Sequence, residues 1–231
     1  MDAPRKIALV TGVLFIITFI GSIPAQLILY HPLLSDPTKY IGGASADPRV
    51  SLGALLEVIT VIANIGTAVV LYPVVKRQNE IIALGYVTCR VLESASIMVG
   101  IFSVLSVLTL RQDFAGAGGA DAASLVTAGR SLVAVHDATF LLGPGFLAGL
   151  GNGVLLGYLM YTSGLMPRGL ALLGLIGGPL LMASGIAVLF GVFKAGAAGQ
   201  DIATIPEFFW ELSLGIYLIV KGFKPSPITS G

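Results

Sequence analysis

Apolar residues in this chain come in long runs, separated by short stretches rich in charge, glycine or proline. Six runs are long enough to cross a bilayer, which takes about 20 apolar residues at 1.5 Å rise per residue. They cover 7–30, 51–75, 81–110, 145–165, 168–193 and 206–223. The pattern predicts an all-α protein, a polytopic transmembrane helix bundle forming one domain over residues 1–231. Between the first two runs, His31 to Val50 carries Pro32, Pro37 and Pro48 plus Gly42-Gly43, with Pro24 just before, and reads as a loop rather than a helix. Lys76 to Glu80 reads as a tight polar turn, and Pro167-Arg168 as a turn with proline placed to start the next helix.

Residues 121–142 are long enough to span but carry Arg130, His136 and Asp137, and end at Gly143-Pro144-Gly145. Loop charge decides how to read them. With six spans, one side of the membrane gathers Arg5, Lys6, Lys76, Arg77, Arg168, Lys221 and Lys224, which the positive-inside rule assigns to the cytoplasm together with the N-terminus. A seventh span would move Arg168, Lys221 and Lys224 outside. The expectation is therefore six spans plus an interfacial or re-entrant helix at 121–142, with seven spans as the alternative.

Composition agrees with the membrane class: 55% of residues are hydrophobic and only 11% charged, against about 25% charged in soluble domains. The net charge of +1 gives no reason to expect nucleic acid as a partner. The bilayer itself is the expected partner, with a homodimer or a larger membrane complex as further expectations. The lone Cys89 lies in an apolar run and reads as an inert buried thiol, and His31 and His136 match no metal spacing, so neither a metal nor a cofactor is expected.

Against this background, ionisable residues inside the spans are the chemistry-bearing feature. Such a group at bilayer depth costs about 2.5–3.5 kcal/mol on insertion scales and so faces a partner or a cavity. Arg90 and Glu93 are three apart on the third span and share a face, about 13 Å and 18 Å from its inner end. Ser94 and Ile97 extend that face. Glu57 lies about two turns below the outer end of the second span, with Asn64 deeper on the same broad face. On the sixth span Glu207 and Glu211 are four apart, with Pro206 read as the first turn. Glu207 reads as an ordinary interfacial acid, Trp210 as an interfacial anchor, and Glu211 as a membrane-depth group.

Three acids (Glu57, Glu93, Glu211) then face one base. Either the site is wet, or it holds a cation, or at least one carboxyl carries a proton. In the fourth span Gly145, Gly149, Gly153 and Gly157 recur every four residues, a stripe that lets a second helix approach closely. Asn152 lies beside that stripe and is a candidate for the same polar pocket. Gly174, Gly177, Gly178 and Pro179 allow a kink or a similar contact. His136 is a further candidate, because a 121–142 helix folded over the outer mouth would bring it to Glu57 or Glu211. No serine elbow, phosphate loop, dinucleotide fingerprint or metalloprotease signature is present.

The run His136-Asp137-Ala138-Thr139-Phe140-Leu141-Leu142-Gly143-Pro144-Gly145, then Asn152, and the segment Leu159 to Arg168 are distinctive. So is the ending Pro206-Glu207-Phe208-Phe209-Trp210-Glu211, followed by Leu218 to Phe223. With the Arg90/Glu93 helix, they resemble a bacterial family of small polytopic integral membrane proteins catalogued as a domain of unknown function. That resemblance implies a multi-pass protein of the bacterial plasma membrane and carries no functional residue. The residues themselves favour a buried polar pocket that binds or permeates a small or lipidic ligand, with proton or cation coupling as its sharper form. The other two readings are a membrane enzyme acting on a lipid or isoprenoid, and a structural or accessory subunit of a membrane complex.

Overall fold

The computed structural model describes residues 2–43, 47–114 and 116–229. Helix α1 (Ala3–Pro24) starts where the Asp2 side chain caps the Arg5 N–H at 2.9 Å, with Pro4 in the first turn, where its missing N–H costs nothing. Beyond Pro24 the chain continues as a π-helical segment, Ala25–Leu29, so the first span covers Ala3–Leu29. The following stretch is not a plain loop. Its prolines open two single-turn helices, α2 (His31–Ser35) and α3 (Pro37–Ile41), and Pro48 opens the long α4 (Pro48–Val75) behind an Asp47 cap.

Helix α5 (Glu80–Phe114) has 35 residues, about 52 Å of helix against a hydrocarbon core of about 30 Å. Helix α6 (Gly119–Leu142) does not stand apart as an interfacial element. It runs on through two π-helical segments, Gly143–Leu147 and Gly149–Leu156, into α7 (Gly157–Ser163), a single 45-residue stretch from Gly119 to Ser163. Pro144 is the physical cause: it has no N–H to give and would clash in a regular α turn, and the wider π geometry absorbs it. Ser96 of α5 donates to the Thr139 carbonyl at 2.9 Å, so the backbone just before the proline stays satisfied in an apolar setting. Helix α8 (Arg168–Leu189) and helix α9 (Ala198–Val220) complete six helices long and apolar enough to cross a membrane.

Consecutive spans are neighbours, and α9 returns to pack on α1, so the six close into a ring. Small residues set the contacts. A Cβ on Gly12 of α1 would come within 2.6 Å of the Gly215 carbonyl of α9. Gly149 and Gly153 of the glycine stripe lie against Gly178 of α8, where an added Cβ would meet backbone at 2.8 and 2.4 Å. Gly157 sits against Leu175 of the same helix, whereas a Cβ on Gly145 would first meet the Phe140 carbonyl of its own chain segment.

The inner half of the ring is filled by a core that includes Phe15, Leu71, Tyr86, Leu156, Leu159, Met160, Leu214 and Leu218. There Arg5 donates to the Leu218 and Ile219 carbonyls at 2.8 and 2.6 Å, a cation on the exposed end of α9. At the other end α5 and α6 run on side by side. The short α2 and α3 pack beside them around Tyr30, Leu33, Ile41, Val107 and Val133. Arg111 ties this cap: its guanidinium lies over the Tyr40 ring, 4.4 Å from the centroid, and donates to the Tyr40 carbonyl. Burial, reinforced by Asp47, pushes the Tyr40 phenol up to about 12, so it stays neutral at any physiological pH.

Candidate functional site: a polar cavity inside the helix ring

Because the core fills only the inner half, the outer half of the ring encloses a cavity of about 580 Å³. Its walls come from α1, α4, α5, the first π segment after α6, α8 and α9. The polar groups that the sequence scattered over separate spans meet here: Glu57, Asn64, Arg90, Glu93 and Glu211 all line it.

The deep side of the cavity is built on the Arg90 guanidinium, only 1% exposed. Its Nη1 donates to Glu93 Oε2 at 2.7 Å and its Nη2 to Asn64 Oδ1. Asn64 Nδ2 returns a bond to Glu93 Oε1 at 3.3 Å, closing a triangle of three side chains from two helices. Phe15 of α1 sits beneath the guanidinium, 6.0 Å from ring centroid to Cζ. The helical spacing of Arg90 and Glu93 makes this geometry local, and Asn64 reaches it only because α4 packs along α5.

A second acid pair lies across the cavity on α9. Asn152, from the wider π segment, donates through Nδ2 to Glu211 Oε1. Asn152 is itself positioned by Trp210, whose Nε1 donates to the Asn152 carbonyl at 2.9 Å. Trp210 is therefore not an interfacial anchor. It is fully buried against Gly174 of α8, where no side chain larger than glycine would leave room for the indole.

Glu207 is not an ordinary interfacial acid either. It is 3% exposed, lines the cavity, and neither carboxyl oxygen has a hydrogen-bond partner among the described residues. Its carboxyl rests on Gly153 and Gly177, close enough that a Cβ on either would fall within 3 Å of Oε2. Helix α9 begins at Ala198, eight residues before Pro206, so Glu207 lies well inside the helix rather than at its mouth.

On the outer side of the cavity, Glu57 accepts from Gln26 at 2.5 Å and from the Tyr30 hydroxyl at 3.0 Å. His136 stands behind this pair, edge-on to the Tyr30 ring and stacked on Phe140, with Nε2 3.4 Å from Gln26 Nε2 and Nδ1 3.4 Å from Asp137. It reaches Glu57 only through Gln26, and neither it nor Asn152 lines the cavity directly. The mouth is framed by Ile23 and Leu27 of the first span, Phe140 of α6 and Phe208 of α9, all apolar and 38% to 69% exposed. Among the described residues no group of three metal-ligating side chains is assembled.

A family model described as Domain of unknown function (DUF4386) matches residues 10–222. The chain belongs to this family. The match takes in the first span from residue 10 onward, the other five spans and every residue of the cavity named above. No curated protein and no solved structure matches the chain. Membership assigns no activity; the multi-pass helical architecture rests on the six long apolar helices among the described residues, and the chemistry on the cavity itself.

Within this domain, two cavity groups escaped the sequence reading. Gln26 sits in the first apolar run two residues after Pro24, and a polar amide at that depth was the signal that could have found it. Glu207 carried the same signal four residues before Glu211, obscured by the assumption that Pro206 starts its helix.

Proposed function

We propose that the protein binds, and carries within the membrane, an amphiphilic ligand that enters its cavity from the lipid. The supporting observation is the contrast between mouth and interior. Apolar side chains of three spans frame the opening, and an incompletely satisfied set of polar side chains lies behind them. An opening of that kind, cut into the wall of a helix ring at membrane depth, suits a molecule already dissolved in the bilayer. The cavity of about 580 Å³ is of the size that holds a small organic or lipid-like molecule.

Two features favour this reading over its rivals. A purely structural set of charges would be closed by its own partners, whereas here Glu207 has none among the described residues. An acid–base enzyme would set its histidine against a cavity carboxyl, whereas Gln26 stands between His136 and Glu57. We place the N-terminus on the cytoplasmic face of a bacterial plasma membrane, since Arg5, Lys6, Lys76, Arg77, Arg168, Lys221 and Lys224 gather at one end of the ring.

Native mass spectrometry of the full chain in detergent tests the binding. The expected spectrum contains an adduct of amphiphile mass that survives gentle activation. Replacing Ser22, a half-buried residue of the cavity wall, with phenylalanine should remove the adduct while the folded charge-state distribution is kept. Bare protein throughout, or an adduct held equally by Ser22→Phe, would overturn the proposal.

A further inference from the structure

Resting on the binding reading above, we propose that the ligand's head group is a cation, an ammonium with several N–H donors, received by Glu207 and Glu211. The argument begins with unmet valences. Glu207 presents two oxygens, both buried and both without a donor among the described residues. On Glu211, among the same residues, only Oε1 accepts a side-chain hydrogen bond, from Asn152. In either protonation state a carboxyl group keeps at least one oxygen that only accepts. The wall around these two groups thus asks for donors, and a group that brings only acceptors would leave more atoms unsatisfied.

Charge points the same way. Among the described residues Arg90 is the one lysine or arginine on the cavity wall; its two terminal nitrogens are engaged by Glu93 and Asn64, and only its Nε has no hydrogen-bond partner. No second base faces Glu207 or Glu211, which stand one helical turn apart on α9. An anionic head would meet two acids in a water-poor space, and an ammonium would offset them. The cavity is far larger than one bare ion, and no group of three His, Cys, Asp or Glu side chains that could hold a metal is assembled among the described residues. Phe208, beside Glu207 in sequence, pairs edge-to-face with Phe19 of α1 at 5.3 Å, so the site of the head group passes directly into the apolar mouth that would take the tail.

The test compares head groups on one tail. The purified full chain in detergent is titrated with octylamine, octanol and octanoate at neutral pH, and the shift in melting temperature is followed for each. Octylamine should stabilise the protein at concentrations about tenfold lower than octanol, and octanoate should stabilise it least. Glu207→Gln should remove the advantage of the amine over the alcohol. Octanoate equal to or better than octylamine overturns the cationic head group, as does an undiminished amine preference in folded Glu207→Gln. The head-group series on the unaltered protein decides the matter even if that variant does not fold. Failure of all three probes to shift the melting temperature would instead count against the cavity as a binding site.

Discussion

Replacing Arg90 with alanine should destabilise the folded protein by about 3–5 kcal/mol, the largest loss expected from any single substitution. The guanidinium is the hub of the deep side: it holds Glu93 and Asn64 directly, and both are buried. Removing it strands Glu93 in a setting of low dielectric with only the weak 3.3 Å bond from Asn64. A buried ion pair adds modest net stability when complete but costs heavily when half is removed. That asymmetry supplies the control. Arg90→Met combined with Glu93→Leu should melt much closer to the wild type than Arg90→Ala does. Melting temperatures in detergent, followed by circular dichroism, separate the cases. If Arg90→Ala melts within a degree or two of the wild type, the triangle is not the structural centre described here.

The second large effect is expected at Trp210. Trp210→Ala should cost about 3 kcal/mol, the low end of the range for emptying a buried aromatic site. The low end applies because lipid, unlike water, gives little transfer energy; what is lost is packing against α8 and the cavity left behind. Function should suffer with stability, because the Trp210 indole holds the Asn152 carbonyl and Asn152 holds Glu211. Trp210→Phe separates the two contributions. It keeps most of the packing and loses the 2.9 Å hydrogen bond, so it should cost about 1 kcal/mol in stability while still weakening ligand binding. Equal melting temperatures for Trp210→Ala and the wild type would contradict the packing account.

Much of this was legible in the chain, and the reasons for the remainder are physical. Hydropathy finds the spans because the bilayer core has a fixed thickness, and Arg90 with Glu93 is visible because helical geometry makes a three-residue spacing a contact. The continuity of residues 121–142 with the span that follows is not legible, because glycine and proline at 143–145 are ordinarily a stop. Here π-helical turns carry the chain through, and α6 joins α7. Glu207 was misread for a related reason. The first two turns of α9 mix Gln200, Asp201 and Thr204 with Gly199, alanines and isoleucines, and its start at Ala198 has no side-chain cap, so no sequence signal marked the helix before Pro206. Trp210 took the commoner interfacial role in the sequence, and only the neighbouring Gly174 of another helix shows why it is buried. The pairing of Gln26 with Glu57 depends on how α1 lies against α4, a long-range contact that local pattern does not encode.

Trp210 also supplies the most direct test of the central claim, since it is the single tryptophan of the chain and sits beside Glu207 and Glu211. Its fluorescence should be followed while the full chain in detergent is titrated with an alkyl-tailed bromobenzylamine, which carries its bromine near the ammonium rather than at the end of the tail. If an amphiphile enters the cavity, quenching saturates, is reversed by excess unbrominated octylamine, and is lost in Ser22→Phe. Quenching that rises linearly without saturation, resists the competitor and is unchanged in Ser22→Phe would contradict a ligand site inside the ring.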